Sequence, residues 1–177
     1  MQYQAQTKTP LAQSVDQNMG GLYTSEQRVR RDATKWTLVQ GILAPVQFLA
    51  FLISLGLVLR FLQTGAGESN AVASVLIKTA LLYTIMITGC LWEKVVFGQY
   101  LFAPAFFWED VVSMLVIALH TAYVVCLFQS WLSPRDQMLL ALSAYAAYAI
   151  NAAQFIWKLR RARLQSNAFK GSARVAA

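Results

Sequence analysis

Residues 36–59 read WTLVQGILAPVQFLAFLISLGLVL, a run of 24 residues without a charged side chain that lies between Lys35 and Arg60. A helix needs about 20 apolar residues to cross a hydrocarbon core of about 30 Å, so this run is long enough to span a membrane. Two similar uncharged runs, 111–134 and 137–157, follow further along the chain. The runs are continuous rather than alternating, which favours helices over the strands of a membrane β-barrel.

A fourth candidate span, 71–92, is interrupted by Lys78. This lysine lies close to one end of the run, and we expect its long side chain to reach the membrane interface. The sequence therefore predicts an all-α, polytopic membrane protein, a bundle of four transmembrane helices at about 38–59, 71–92, 111–132 and 138–157. These helices form one membrane domain, 22–165, between a flexible N-terminal tail, 1–21, and a flexible basic C-terminal tail, 166–177.

The composition excludes a soluble enzyme with a large core of its own. Hydrophobic residues make up 57% of the chain and charged residues only 13%, whereas a typical soluble domain has roughly 25% charged residues.

Most lysines and arginines flank the first and last predicted helices, and the positive-inside rule then places both termini in the cytoplasm. Topology and attraction to anionic lipid explain these basic flanks, so we expect lipid but no nucleic acid as a partner. The first 27 residues contain no apolar h-region, and we expect no cleavable signal peptide.

An aromatic segment, EKVVFGQYLFAPAFFWED, occupies residues 93–110 between the second and third predicted helices. It is too short to cross the membrane and is broken by Gly98 and Pro104, which is typical of a re-entrant or interfacial segment. One interpretation is an anchor at the membrane surface. The other is a lid or wall for a flat, apolar ligand that enters from the lipid.

Ionisable side chains beside or within the apolar runs are the candidates for chemistry. Glu109, Ser113 and His120 fall within about 40° of one face of the third helix at 100° per residue, and such a stripe should face the bundle interior. The alternative for His120 is a core imidazole that hydrogen-bonds across helices. The alternative for Glu109 and Asp110 is that they complement the positive end of the helix dipole.

Polar side chains also recur on the other helices. Gln40, Gln47 and Ser54 are spaced by seven residues on the first helix, and Tyr148 and Asn151 belong to a polar line on the fourth. Interhelical hydrogen bonding explains any one of these lines. Their convergence on one interior would form a polar cleft.

The central part of the chain is similar to a known family. Four stretches carry the resemblance: WEKVVFGQYLFAPAFFWED (92–110), SMLVIALHTAY (113–123), YTSEQRVRRDATKWTLVQG (23–41) and YAINAAQF (148–155). Over about residues 22–165 the chain resembles the 3-vinyl (bacterio)chlorophyllide hydratases of bacteriochlorophyll biosynthesis. The resemblance implies a hydro-lyase that adds water across the C3 vinyl group of a chlorophyllide to give a 3-(1-hydroxyethyl) product.

The same resemblance implies a location and partners. We expect a multi-pass protein of the bacterial inner (intracytoplasmic) membrane, with its active site towards the cytoplasmic face and with contacts to other pigment-biosynthesis enzymes or to further copies of itself. The alternative, from a different functional class, is a non-enzymatic membrane carrier of pigment or an assembly factor for photosynthetic complexes.

No catalytic roles come with the resemblance, so these are hypotheses from the residues. Addition of water to a vinyl group needs a proton donor, a negative environment for the cation that forms beside the ring, and a positioned water. Glu109 is the first candidate for the donor, with Asp110 or Glu93 as the stabilising charge.

Four further residues are candidates for substrate binding. Lys94, or an arginine of the basic flanks, is a candidate to hold the propionate of the substrate. His120 is either the base for water or, the preferred role, the axial ligand of the substrate's magnesium, and Tyr148 and Asn151 line the cleft. Hydration changes no oxidation state, and the chain has one histidine and no CxxC, HExxH, GxxxxGK or GxGxxG motif. We therefore expect no cofactor and no metal other than the substrate's magnesium.

Overall fold

The computed structural model describes residues 22–175, in which all regular secondary structure is helical. Five helices follow one another: α1 (Ser25–Ala33), α2 (Lys35–Thr64), α3 (Glu68–Phe97), α4 (Phe107–Gln129) and α5 (Pro134–Val175). The predicted all-α class is confirmed for this part of the chain. The tail predicted for 1–21 lies outside the described residues, and α5 continues as a helix through most of the segment interpreted as a C-terminal tail.

Four of the described helices are long and apolar enough to cross a membrane. They are α2, α3, α4 and the Pro134–Arg161 part of α5, which confirms the number and order of the predicted spans. The helices begin earlier than predicted because their first turns contain charged or polar residues that a hydropathy pattern omits. The placement of both termini in the cytoplasm stays a prediction.

Side-chain caps and a left-handed glycine set the helix ends around the site. At the start of α1, Thr24 Oγ1 accepts a hydrogen bond from the Gln27 N–H at 3.3 Å, and Gln27 Oε1 accepts one from the Thr24 N–H at 2.9 Å. Helix α3 ends at Gly98, whose φ of 87° is favourable for glycine. The ammonium of Lys94 donates to the Gly98 carbonyl at 2.9 Å and so caps the same helix end.

The four long helices form two antiparallel hairpins. Helix α2 packs mainly on α3 and α4 mainly on α5, with fewer contacts between the hairpins. In the first hairpin, Gln40 Nε2 donates to Thr88 Oγ1 at 2.8 Å, and the hydroxyls of Ser54 and Ser74 are 2.7 Å apart. These two contacts fix the register of α2 against α3.

The hairpins meet along a surface that we call the seam. Its members from all four long helices are Gln47, Phe51, Lys78, His120, Tyr145 and Tyr148, and all of them are buried. Phe51 of the first hairpin packs against the rings of Tyr145 and Tyr148 of the second, with centroids 5.5 and 5.0 Å away. The seam therefore combines aromatic packing with polar groups.

Lys78 lies in the seam and not at the membrane interface. Its side chain is 0% exposed, and its ammonium lies 3.7 Å from the centroid of the Tyr148 ring. The predicted reach to the interface is wrong for two reasons. Lys78 lies ten residues inside α3, about 15 Å along the helix axis, and it occupies a face of α3 that points towards α5.

The aromatic segment is divided between three elements. Its first residues complete α3, its last residues begin α4, and only 98–106 are non-helical. Phe106 is 3% exposed and lies at the centre of an aromatic cluster, with four rings at centroid distances of 5.7 to 6.3 Å: Tyr23, Trp92, Phe97 and Phe155. This cluster joins the residues before α1 to the end of α3 and the middle of α5. Its depth in a membrane stays a prediction.

Candidate active site

Glu93 and Asp110 are brought together where the loop 98–106 closes. Glu93 lies near the end of α3 and Asp110 in the first turn of α4. Both residues are buried, and their carboxyl groups are close enough to interact electrostatically. Each also accepts a hydrogen bond from the loop. The Phe102 N–H donates to Asp110 Oδ2 at 2.7 Å, and the Ala103 N–H donates to Glu93 Oε2 at 3.3 Å.

The proximity of these two carboxyl groups has a chemical consequence. Two ionised carboxylates close together in a buried site repel each other, which favours a proton on one of the two. The pair therefore provides one exchangeable proton beside the aromatic cluster. It also holds the loop, in which Phe102 has a φ of 60°, an unusual conformation for a residue with a side chain.

Glu109 has a different partner. Lys158 of α5 lies with its Nζ 2.5 Å from Glu109 Oε2, and the same ammonium is 5.0 Å from the centroid of the Phe106 ring. In the sequence, Lys158 is one of the basic residues that flank the last predicted helix, and topology alone explains it. Its spacing could have indicated a role in the site, because Lys158 follows Asn151 by seven residues and so continues the polar line of α5.

A hydrogen-bonded line leads from Glu109 towards the interior. The Ser113 hydroxyl donates to the Glu109 carbonyl at 2.8 Å, and Asn151 Nδ2 donates to Ser113 Oγ at 2.8 Å. Asn151 Oδ1 is buried and has no partner among the described residues. The predicted polar face of α4 is therefore directed into the bundle, where it meets α5.

His120 and Tyr148 lie deeper, in the seam. His120 is fully buried, and its Nδ1 is 2.8 Å from the Val116 carbonyl. Because a carbonyl oxygen only accepts, Nδ1 carries a hydrogen, and Nε2 has no partner among the described residues. His120 is ten residues beyond Asp110, about 15 Å along α4. The structure therefore places the three predicted acids in a carboxyl cluster (Glu93, Glu109 and Asp110, joined by Lys158) and places His120 and Tyr148 in the seam.

Two residues at the edge of the carboxyl cluster are more exposed. Lys94 is exposed, and besides capping α3 its ammonium lies 5.0 Å from the centroid of the Tyr100 ring. Tyr23 covers the aromatic cluster from α1, with Arg31 4.8 Å from its ring centroid. Burial raises the pKa of the Tyr23 phenol, and the Arg31 guanidinium opposes this shift.

Comparison with known proteins decides the family. The sequence matches the 2-vinyl bacteriochlorophyllide hydratases over residues 23–161. The chain belongs to this family. The 2-vinyl bacteriochlorophyllide hydratase of Cereibacter sphaeroides is 70% identical over 148 residues, which cover 83% of this chain and 91% of the relative. The one from Rhodobacter capsulatus is 69% identical over 146 residues, which cover 82% and 84%. No solved structure matches the chain.

The match to the hydratase family includes every candidate residue. Both the carboxyl cluster and the seam lie inside 23–161, as do α1 and the loop 98–106. The segments predicted as tails, 1–21 and 166–177, lie outside the match. The candidate site therefore lies within the region that matches the hydratase family.

In this hydratase we expect Lys158→Met to lower the free energy of unfolding by about 2 kcal/mol, because it leaves the Glu109 carboxylate buried without its cation. Lys158 is about one-quarter exposed, so the loss is smaller than for a fully buried pair. Thermal unfolding in detergent measures it. The double variant Glu109→Gln/Lys158→Met should recover most of the loss, and strict additivity of the two single effects would contradict the pairing.

Proposed function

We propose that this protein adds water across the vinyl group of a bacteriochlorophyllide to give a 1-hydroxyethyl group. The group named 2-vinyl in the older ring numbering is the 3-vinyl group of the current one. Family membership and identities of about 70% to two named hydratases support the reaction. The structural observation that supports it best is the carboxyl pair Glu93–Asp110, which provides an exchangeable proton against an aromatic cluster.

The reaction proceeds in two steps that balance without a cofactor. A carboxyl proton is transferred to the terminal vinyl carbon, the C=C π bond breaks, and positive charge develops on the carbon next to the ring. A water oxygen then bonds to that carbon and loses a proton to the carboxylate, which restores the starting carboxyl group. One water is added, no oxidation state changes overall, and neither a redox cofactor nor a metal beyond the substrate's magnesium is needed.

The roles of the three acids follow from their partners. Glu109, the first candidate for the donor from sequence, forms an ion pair with Lys158, which favours a role as a fixed negative charge. The donor is instead the Glu93–Asp110 pair, and Glu109 supplies negative charge near the cation. Preorganised charge of this kind lowers the barrier most where water is excluded, as it is beside Phe106.

The macrocycle binds between the aromatic cluster and the seam. His120 has the form that an axial ligand needs, because Nδ1 is held by the Val116 carbonyl and Nε2 is free. In this arrangement the macrocycle extends between His120 and Asp110, which are ten residues apart on α4, about 15 Å along the helix axis. Tyr148 and the free carbonyl oxygen of Asn151 line the path between them.

We expect His120→Ala to weaken substrate binding by about tenfold or more, because the magnesium loses its protein ligand. Absorbance titration of the purified protein with chlorophyllide measures the affinity, and added free imidazole should restore part of it. Full-strength binding together with lost turnover would contradict the ligand role and favour His120 as the base for water.

The expected location completes the proposal. The protein is a multi-pass protein of the bacterial inner membrane, with the carboxyl cluster at its cytoplasmic face, where the substrate and a supply of water meet. The basic residues next to the membrane-spanning helices support this orientation. Its expected partners in the same membrane are further copies of the chain or other pigment-biosynthesis enzymes.

The test uses anaerobic membranes that contain this protein and no other enzyme of the pathway. They are incubated with 3-vinyl chlorophyllide in ¹⁸O-labelled water, and the product is analysed by mass spectrometry. We expect one labelled oxygen in the hydroxyethyl product. Conversion without label would exclude hydration, and no conversion with retained binding would favour the pigment carrier.

A further inference from the structure

Three polar groups in the seam have no hydrogen-bond partner among the described residues. They are the ammonium of Lys78, Nε2 of His120 and the amide of Gln47, and all three side chains are at most 2% exposed. They come from three helices. Since buried polar groups in folded proteins almost always have partners, these groups are available to a ligand.

The three groups lie at a similar depth. Lys78 Nζ is 3.7 Å from the centroid of the Tyr148 ring. That ring packs against Phe51, which is one helical turn from Gln47. The His120 ring lies 5.9 Å from that of Tyr145, which also packs against Phe51.

Lys78 lacks an anion. Among the described carboxylates, Glu109 is paired with Lys158, and Glu93 and Glu68 are fifteen and ten residues from Lys78, about 22 and 15 Å along α3. No salt bridge joins Lys78 to a carboxylate among the described residues. The face of Tyr148 attracts a cation but does not replace an anion in a buried site.

We infer that Lys78 binds the propionate carboxylate of the macrocycle, with Gln47 as a second donor. The inference rests on the proposed function and assigns a binding site for one group of its substrate. A carboxylate beside Lys78 forms an ion pair where solvent does not compete. Lys94, the candidate from sequence, is exposed and already donates to the Gly98 carbonyl. The propionate thus lies deeper in the bundle than the vinyl group, which faces the carboxyl cluster.

The test compares 3-vinyl chlorophyllide with its methyl ester, in which the propionate has no charge. Both are titrated by fluorescence against the full-length protein in lipid nanodiscs. We expect the wild-type protein to bind the free acid about tenfold or more tightly than the ester. Lys78→Met should lower the affinity for the acid to that for the ester, and Lys78→Arg should keep part of the preference. Lys35→Met, the same change at an exposed lysine, should keep all of it.

Several outcomes would overturn the inference. Equal binding of acid and ester by the wild-type protein would mean that a free anion or water occupies the site. A preference that survives Lys78→Met, or that Lys94→Met removes, would place the propionate elsewhere. Equal weakening of both ligands by Lys78→Met would reduce Lys78 to a structural role.

The oxygen-label assay separates this inference from the proposed function. Label incorporation without any preference for the acid would leave the hydratase reaction intact and overturn only the role of Lys78. A preference that depends on Lys78, in a preparation that incorporates no label, would leave the binding site and overturn the reaction.

Discussion

We expect Glu93→Gln and Asp110→Asn each to lower kcat by about 10²- to 10⁴-fold, the usual contribution of a positioned acid or base. An amide carbonyl still accepts the loop hydrogen bonds that Glu93 and Asp110 accept from Ala103 and Phe102. The change therefore removes the acid but keeps the hydrogen bonds that hold the loop 98–106. Single-turnover rates and chlorophyllide titrations on the same preparations measure the two properties separately.

The alanine variants at the same positions provide the control. Glu93→Ala and Asp110→Ala remove both the acid and the acceptor, so we expect lower thermal stability as well as lost turnover. If the amide variants keep the wild-type kcat, the pair only holds the loop in place, and the proton must come from another group.

We expect Phe106→Ala to lower the free energy of unfolding by about 3 to 5 kcal/mol. Phe106 is buried at the centre of the aromatic cluster and contacts rings from α3, α5 and the residues before α1. Its loss leaves a cavity next to the carboxyl pair, so turnover should fall as well. Thermal or denaturant unfolding in detergent measures the change.

Phe128→Ala is the matched control for that substitution. Phe128 is on α4, as are Glu109 and Asp110, but it is 77% exposed, and we expect a change of about 0.5 kcal/mol or less. Similar losses for both variants would mean that the aromatic cluster adds no more stability than a surface ring.

The spans were predictable because crossing a membrane requires long, uncharged helices, whatever the tertiary contacts are. The face shared by Glu109, Ser113 and His120 was predictable for a similar reason, since helical periodicity is a local property. The helix ends were less predictable from the sequence, because caps such as Thr24 and Gly98 act through hydrogen bonds and dihedral angles that hydropathy does not measure.

The pairing of charged residues was not predictable from the sequence. Lys158 lies beyond the apolar run, where topology alone explains a lysine, and its contact with Glu109 depends on how α5 packs on α4. Glu93 and Asp110 are 17 positions apart and meet because the loop 98–106 reverses the chain. The prediction for Lys78 was wrong for a different reason. It considered the position of Lys78 along the helix but not the face of the helix on which Lys78 lies.

The most direct test of the central claim is a single turnover in heavy water, comparing the wild-type protein with the double variant Glu93→Gln/Asp110→Asn. If the carboxyl pair delivers the proton, the wild-type product carries one deuterium in its new methyl group, and the variant forms this product at a rate lower by at least about 10²-fold. Deuterium incorporation by the variant at the wild-type rate would contradict the account.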